Sequence, residues 1–242
     1  FSVIRKNPKV FLGYSDTTIT HLICLKAGLS SFYGPSVLAE FAENVAMYPY
    51  TAHWVEKVLF NAEPIGPIPA PESWTSEYLP WLEENKDTMR KMQPNSGYEV
   101  LQGEGVVQGR LIGGCVEVLE MAKQTELWPR GQDWSDVILF LETSEDQPKP
   151  MYLEYWLRNY GSQGILQQIK GLIVGKPYNN TYYEEYKTSI GKILAEVGRG
   201  DLPVLYNASF GHTAPMMILP YGALAEIDCE TASFQIVEGG VL

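Results

Sequence analysis

Ser15 is the first residue of this sequence whose position suggests chemistry. It stands in "VFLGYSDTT", where an extended apolar segment passes directly into a helical pattern. A serine at such a junction can cap the helix, as Ser, Thr and Asp commonly do. It can also be a nucleophile that a tight turn exposes beside backbone N–H groups. The segment alone leaves both interpretations open.

A nucleophilic serine needs a base, and the sequence contains three histidines. His21 lies on the same predicted helix as Ser15, about a turn and two-thirds further on, so its ring does not reach back to the hydroxyl. His53 falls in an apolar helical pattern, which favours a packed or surface histidine. His212, in "NASFGHTAP", directly follows an apolar strand, and open α/β sheets assemble sites at such strand ends. A hydrogen-bonded loop histidine is the alternative.

A base histidine in turn needs a carboxylate that fixes its tautomer. Glu142 ends the apolar strand "VILFLE", where a charge is unfavourable unless a partner compensates it. The alternative is a helix-capping or loop-bracing acid. Glu145 and Asp146, further along, are expected to be solvated. Ser15, Glu142 and His212 would then place a hydroxyl, a carboxylate and an imidazole at the C-terminal ends of three strands.

The elements around these residues have the pattern of an α/β protein. Apolar strands are predicted to alternate with helices: strands at 137–142, 171–175 and 203–207, and helices at 115–123, around 150–160 and at 182–197. Strands that are apolar on both faces indicate a mostly parallel sheet with helices covering both sides. The final segment, 216–238, is typical of a β-meander with turns at 220–222 and 229–231.

The N-terminal part is predicted to be an incomplete α/β domain. Its pattern gives a strand at 9–14, a helix at 17–27, a short strand ending at Tyr33 and a helical segment over 37–61 that Pro49 interrupts. These elements are too few for a doubly wound domain, and the chain opens on Phe1. The first half of this domain is therefore expected to be absent from the sequence.

Prolines between 62 and 72 have the composition of a linker, and 72–100 is polar, aromatic and poorly periodic. A long loop of this kind is usually functional or disordered. The predicted division has three parts: a partial nucleophile domain over 1–66, a linker and substrate loop over 67–100, and a C-terminal domain over 101–242 that carries the Glu and the His.

Composition narrows the partners and the compartment. The 242 residues are 45% hydrophobic and carry a net charge of −11, which fits a globular chain without the basic face that nucleic acids or anionic membranes require. No apolar run is long enough for a membrane span. The three cysteines lie far apart without C-x-x-C spacing, which indicates reduced thiols in a reducing compartment. Few histidines and no paired cysteines argue against a metal.

These motifs together resemble the LD-carboxypeptidase family of serine peptidases, which includes muramoyltetrapeptide carboxypeptidases and microcin C self-immunity proteins. The resemblance covers essentially the whole chain and rests on "NPKVFLGYSDTT", "FYGP", "GRLIGGC", "ILFLETSED", "GLIVGKP" and "GHTAP". It implies that Ser15 is the nucleophile, His212 the general base and Glu142 the residue that orients it. It also implies that the N–H of Asp16 is one oxyanion donor, the other coming from a glycine-rich turn upstream.

The resemblance implies a cytoplasmic, homodimeric serine carboxypeptidase or amidase that works through an acyl-enzyme without a cofactor. Its substrate would be an LD-muropeptide or an aminoacyl nucleotide of the microcin C type. The loop at 72–100 is similar to the substrate loop of the microcin-immunity branch, where a tryptophan stacks on the nucleobase; Trp81 is the first candidate and Trp74 the second. Two alternatives stay open: a loop that buries its tryptophans, and a catalytically inactive binding protein on the same fold.

Overall fold

The structure, a computed structural model, describes residues 1–241. Its strands are β1 (Leu12–Gly13), β2 (Phe32–Tyr33), β3 (Gly66–Pro67), β4 (Ser73–Trp74), β5 (Gln93–Pro94), β6 (Glu99–Gln102), β7 (Val106–Cys115), β8 (Val137–Glu142), β9 (Gly171–Gly175), β10 (Val204–Ala208), β11 (Leu219–Pro220), β12 (Leu224–Asp228) and β13 (Ser233–Ile236). Its α-helices are α1 (Ser2–Lys6), α2 (Thr18–Ala27), α3 (Pro49–Leu59), α4 (Val116–Ala122), α5 (Pro150–Ser162), α6 (Ile165–Gln168) and α7 (Tyr183–Glu196).

The large sheet has the order β3-β13-β12-β7-β8-β9-β10-β6. Its four central strands, β7 to β10, are parallel, and helices α4 to α7 form the connections between them, as parallel strands require. Every residue of β8, β9 and β10 is buried, because both faces of these strands are covered. Antiparallel strands flank this centre on both sides. The predicted α/β class is therefore confirmed.

The longest strand, β7, is missing from the sequence prediction, which has only a regular pattern after Gly109 and a helix after Gly114. The segment "GRLIGG" is rich in glycine, and glycine is disfavoured in strands. Here the glycines permit close approach of the neighbouring strand. A Cβ on Gly113 would lie 1.8 Å from the carbonyl oxygen of Phe140 in β8.

A small sheet of order β1-β2-β11 carries the segment before Ser15. Strands β1 and β2 are parallel, and β11 from the C-terminal part of the chain pairs antiparallel with β2. The predicted meander is therefore divided between two sheets: its last two strands, β12 and β13, form a hairpin in the large sheet, while its first strand lies beside β2. The division of the chain into three parts stays a prediction.

The helical segment over 37–61 is interrupted, as Pro49 predicts, because α3 begins at that residue. The first part is a short π-helix, Val37–Phe41. The segment 72–100 is mostly loop, with the two-residue strands β4 and β5 paired across it. In residues 1–241, no helix combines the length and the apolarity that crossing a membrane would demand.

Candidate active site

Ser15 lies at the end of β1, on a single 3₁₀ turn (Ser15–Thr17) that leads into α2. Its φ is +59°, a left-handed conformation that a residue with a Cβ rarely adopts and that costs of order 1–3 kcal/mol. Two hydrogen bonds hold it there. The Ser15 N–H donates to the Tyr33 hydroxyl at 3.1 Å, and the Thr18 hydroxyl donates to the Ser15 carbonyl at 2.7 Å. The turn presents the serine side chain as a nucleophile elbow does.

His212 connects Ser15 with Glu142. Its Nε2 is 2.9 Å from Ser15 Oγ, and its Nδ1 is 2.7 Å from Glu142 Oε2. Since a carboxylate only accepts hydrogen bonds, Nδ1 carries the proton and donates it to Glu142. Glu142 ends β8 and is 1% exposed. The structure thus brings together the three residues that the sequence places at strand ends, in the order hydroxyl, imidazole, carboxylate.

Tyr33, at the end of β2, contacts both Ser15 and Glu142 through its hydroxyl group. Its hydroxyl donates to Glu142 Oε1 at 2.5 Å while accepting the N–H of Ser15. Burial, followed by the charge of Glu142, raises the pKa of Tyr33 well above its ordinary value, so the phenol stays a donor. Sequence reasoning used "FYGP" only as a family motif and assigned Tyr33 no role.

His21 is a structural residue, in agreement with the expectation that it does not serve as the base. Its Nε2 lies 2.9 Å from the Gly13 carbonyl and its Nδ1 lies 2.8 Å from the Ser31 hydroxyl. Burial lowers the pKa of His21 to about 4, although the hydrogen bond to Gly13 opposes this shift. A neutral His21 therefore ties α2 to the strand that carries the Ser15 turn.

Gly211, immediately before His212, is required by the packing of the site. Its φ is +92°, and a Cβ at this position would lie 2.7 Å from Oε2 of Glu142. Only glycine lets the backbone adopt this conformation so close to the carboxylate. The glycine of the "GHTAP" motif is therefore required for His212 to lie next to Glu142.

Glu145 has a contact that the sequence does not predict. Its side chain is 60% exposed, which agrees with the expected solvation, yet its Oε2 lies 3.0 Å from Nε2 of His212. Asp146 is exposed, with no basic partner among the described residues. His212 therefore has carboxylates on both ring nitrogens, with Glu142 buried and Glu145 at the rim.

The two tryptophan candidates have different environments. Trp74 is 3% exposed and its ring lies 4.5 Å from the Lys176 ammonium, so it is a packed residue. Trp81 is 58% exposed and lines a cavity of about 300 Å³. The other lining residues come from the π-helix and the surrounding loops: Leu38, Ala39, Ala42, Glu43, Asn44, Glu77, Tyr78, Leu79 and Arg90.

Tyr14, the residue before Ser15, packs against His212. Its ring meets the ring of His212 edge-on, with centroids 5.0 Å apart. Burial, then the charge of Glu40 in the π-helix, raises the pKa of Tyr14. Tyr14 thus contacts His212 and is influenced by the charge of Glu40, whose π-helix contributes Leu38 and Ala39 to the cavity wall. Asp16, the residue after Ser15, is exposed at the start of the 3₁₀ turn, and its N–H as an oxyanion donor stays a prediction.

Comparison with known proteins agrees with this architecture. A model of the LD-carboxypeptidase C-terminal domain matches residues 108–227, and a model of the LD-carboxypeptidase N-terminal domain matches residues 1–34. The microcin C7 self-immunity protein MccF of Escherichia coli is 30% identical over 98% of this chain and 68% of its own length. The "Probable murein peptide carboxypeptidase" of Bacillus subtilis is 26% identical over 100% of this chain and 66% of its own length.

Solved structures show the same fold. The MccF-like protein from Streptococcus pneumoniae in complex with AMP superposes with a TM-score of 0.87 at 32% identity, covering 97% of this chain and 72% of that one. The MccF-like protein from Bacillus anthracis gives a TM-score of 0.85 at 28% identity, covering 98% and 70%. By its sequence matches along nearly its whole length and by its fold, the chain belongs to the LD-carboxypeptidase family.

Proposed function

We propose that this protein is a serine hydrolase that cleaves the amide bond of an aminoacyl nucleotide through an acyl-enzyme on Ser15. The observation that carries the proposal is the continuous contact from Ser15 Oγ through His212 to Glu142. A hydroxyl, an imidazole and a buried carboxylate in this arrangement are the parts of a catalytic triad.

The reaction follows from the positions of the protons. Ser15 Oγ attacks the amide carbonyl as its proton passes to Nε2 of His212, and Glu142 stabilises the imidazolium that results. The Asp16 N–H is the proposed donor to the developing oxyanion. His212 then protonates the leaving nitrogen, which departs and leaves an ester on Ser15. His212 then takes a proton from a water molecule, whose oxygen attacks the ester carbonyl; the bond from the acyl carbon to Ser15 Oγ breaks, His212 returns the proton to Oγ, and the acid is released.

The choice of an aminoacyl nucleotide rests on the exposed ring of Trp81. An exposed indole at the wall of a cavity offers a surface on which a nucleobase can stack. Relatives support this choice, since MccF has been solved with aspartyl sulfamoyl adenosine and with glutamyl sulfamoyl guanosine. Both ligands combine an acyl group for the serine with a base for an aromatic ring.

The test is to offer the full-length protein an aminoacyl sulfamoyl adenosine and an LD-linked muropeptide in parallel. Release of the amino acid from the nucleotide, with fluorophosphonate labelling of Ser15, is expected. Release of D-alanine from the muropeptide alone would assign the protein to the other substrate class. Failure to cleave either substrate, together with an unlabelled Ser15, would favour a binding protein that has lost turnover.

Trp81→Ala should raise KM for the nucleotide substrate by about 5- to 150-fold, because stacking of a base on an aromatic ring contributes roughly 1–3 kcal/mol. A muropeptide has no base, so its KM should not change. Trp81→Phe, which keeps a ring, is the matched control and should lose much less. Steady-state kinetics on both substrates measure the effect, and equal losses on both would contradict base stacking.

The pH profile should report the charge state of His212. Burial alone would lower the pKa of this ring, but the charge of Glu142 and its hydrogen bond, then the charges of Glu145 and Glu117, raise it to about 9. Tyr14, the remaining titratable group against the ring, stays protonated because its own pKa is raised. The base must be neutral, so kcat/KM should increase with pH up to about 9 and then level off.

Glu145→Gln removes one of the charges that raise the pKa of His212, so it should move this limb of the profile to lower pH. The comparison needs only kcat/KM across the pH range for the two proteins. A wild-type profile that is flat below pH 9, or a limb that Glu145→Gln leaves in place, would contradict this assignment.

A further inference from the structure

Glu145 lies beside the proposed nucleophile although its carboxylate takes no part in the proton transfers above. Its Oε2 is 3.0 Å from His212 Nε2, and the same nitrogen is 2.9 Å from Ser15 Oγ. Because the two contacts share one atom, the carboxylate and the serine oxygen are no further apart than the sum of these distances. Glu145 therefore borders the space that the group next to a scissile carbonyl must occupy.

The contact between Glu145 and His212 does not fit the base-competent state. Nδ1–H donates to Glu142, so Nε2 of the neutral ring carries a lone pair. The carboxylate of Glu145 also offers only lone pairs, and it is attracted to Nε2 only while the ring is protonated. Before His212 can accept the proton of Ser15 its ring must be neutral, and in that state Glu145 must turn away from Nε2, which its 60% exposed side chain has room to do.

No basic side chain of the protein is positioned to receive Glu145 when it turns. Among residues 1–241, His212 is the only basic group within 4.0 Å of its carboxylate. Arg90 of the segment 72–100 is already paired with the buried carboxylate of Glu43. A substrate that covers Glu145 would bury its carboxylate without a compensating charge, unless the substrate itself carries a cation.

We propose that Glu145 is a specificity-determining residue that binds an ammonium group on the carbon next to the scissile carbonyl. The inference rests on the proposed function and names the residue that recognises the free α-amine of the aminoacyl substrate. In an aminoacyl group the α-nitrogen lies about 2.5 Å from the carbonyl carbon, which brings it within reach of Glu145 once that carbon is held at Ser15. The ammonium group then pairs with the carboxylate of Glu145, which leaves Nε2 of His212 free to accept the proton of Ser15.

The experiment compares two ligands that differ only in this amine, alanyl sulfamoyl adenosine and propionyl sulfamoyl adenosine. Binding to the full-length Ser15→Ala protein is measured by calorimetry, so that no turnover is needed. The alanyl ligand should bind about tenfold more tightly, the effect of one charge-assisted hydrogen bond at a half-exposed site. In the background of Ser15→Ala, Glu145→Gln should remove most of this preference without weakening the propionyl ligand.

Asp146→Asn is the matched control, because Asp146 carries the same charge one residue further on and should leave the preference intact. Equal affinities of the two ligands for the parent protein would overturn this inference and leave the proposed function standing. The same conclusion would follow if the preference survived in Glu145→Gln or disappeared in Asp146→Asn. Failure of both ligands to bind would overturn the proposed function itself and this inference with it.

Discussion

Replacing Ser15 with alanine is expected to lower kcat by about 10⁶-fold, and adding His212→Ala is expected to lower it no further. Residues of a triad act as one unit, so removal of the nucleophile already removes the purpose of the base. The 2.9 Å contact between Ser15 Oγ and His212 Nε2 is the structural basis for this expectation. The activity that remains would come from substrate binding and the oxyanion donors.

Single-turnover measurements on the aminoacyl nucleotide substrate would compare the two single variants with the double variant. His53→Ala is a suitable control, because His53 is an exposed residue of α3 outside the site. It should retain wild-type activity. If the losses from Ser15→Ala and His212→Ala were instead additive, the two residues would not be acting on the same proton transfer.

Glu142→Gln is expected to fold normally, bind substrate nearly as well as wild type and lose about 10⁴-fold in kcat. Glutamine has almost the same shape, so the buried position and the hydrogen bond from Tyr33 can be kept. Its amide can, however, donate to Nδ1 of His212, which would place the ring proton on Nε2 and leave no base for Ser15. Loss of the carboxylate in a comparable triad has an effect of this size with the geometry intact.

Three measurements separate this explanation from simple unfolding: kcat, the melting temperature, and ligand affinity in the Ser15→Ala background. Asp146→Asn removes an exposed carboxylate from the same loop and should change none of them. Glu145 is not used as the inert control, since its carboxylate contacts His212. An active Glu142→Gln protein beside an inactive Asp146→Asn protein would show that the carboxylate has been misassigned.

Ser15, Glu142 and His212 each have a local signal in the sequence, but that signal left a structural alternative open for each, and their roles followed from the resemblance to the LD-carboxypeptidase family. Each follows or ends an apolar extended segment, and a polar group at such a place is unfavourable without a purpose. The helices and most strands are also predicted from local signals, since hydrophobic periodicity is a property of residues that are close in sequence. The fold class therefore follows from the pattern of the sequence, whereas the choice of the three site residues also needed the family resemblance.

Contacts that depend on how distant segments pair could not be predicted in this way. Tyr33 has its role only because β2 lies beneath the end of β8, so that one hydroxyl reaches both Ser15 and Glu142. Glu145 reaches His212 only because the loop after β8 turns back over the loop after β10. Strand β7 was not predicted because glycine is disfavoured in strands, so the local pattern argued against a strand there. The glycines are needed because the neighbouring strand β8 approaches too closely for a Cβ.

The pairing of β11 with β2 means that the site can be assembled only after the C-terminal part of the chain has been synthesised. Ser15 and His212 are 197 positions apart, and the strand that anchors the His212 loop beside the serine follows it in the chain. A ribosome therefore adds Ser15 to the chain long before His212, and a contact between residues so far apart in sequence stabilises the fold only after the entropy of closing the loop has been met. If the proposed function holds, a growing or truncated chain of this protein would carry an inert serine in the cell, and hydrolysis would begin only once His212 has been added and positioned.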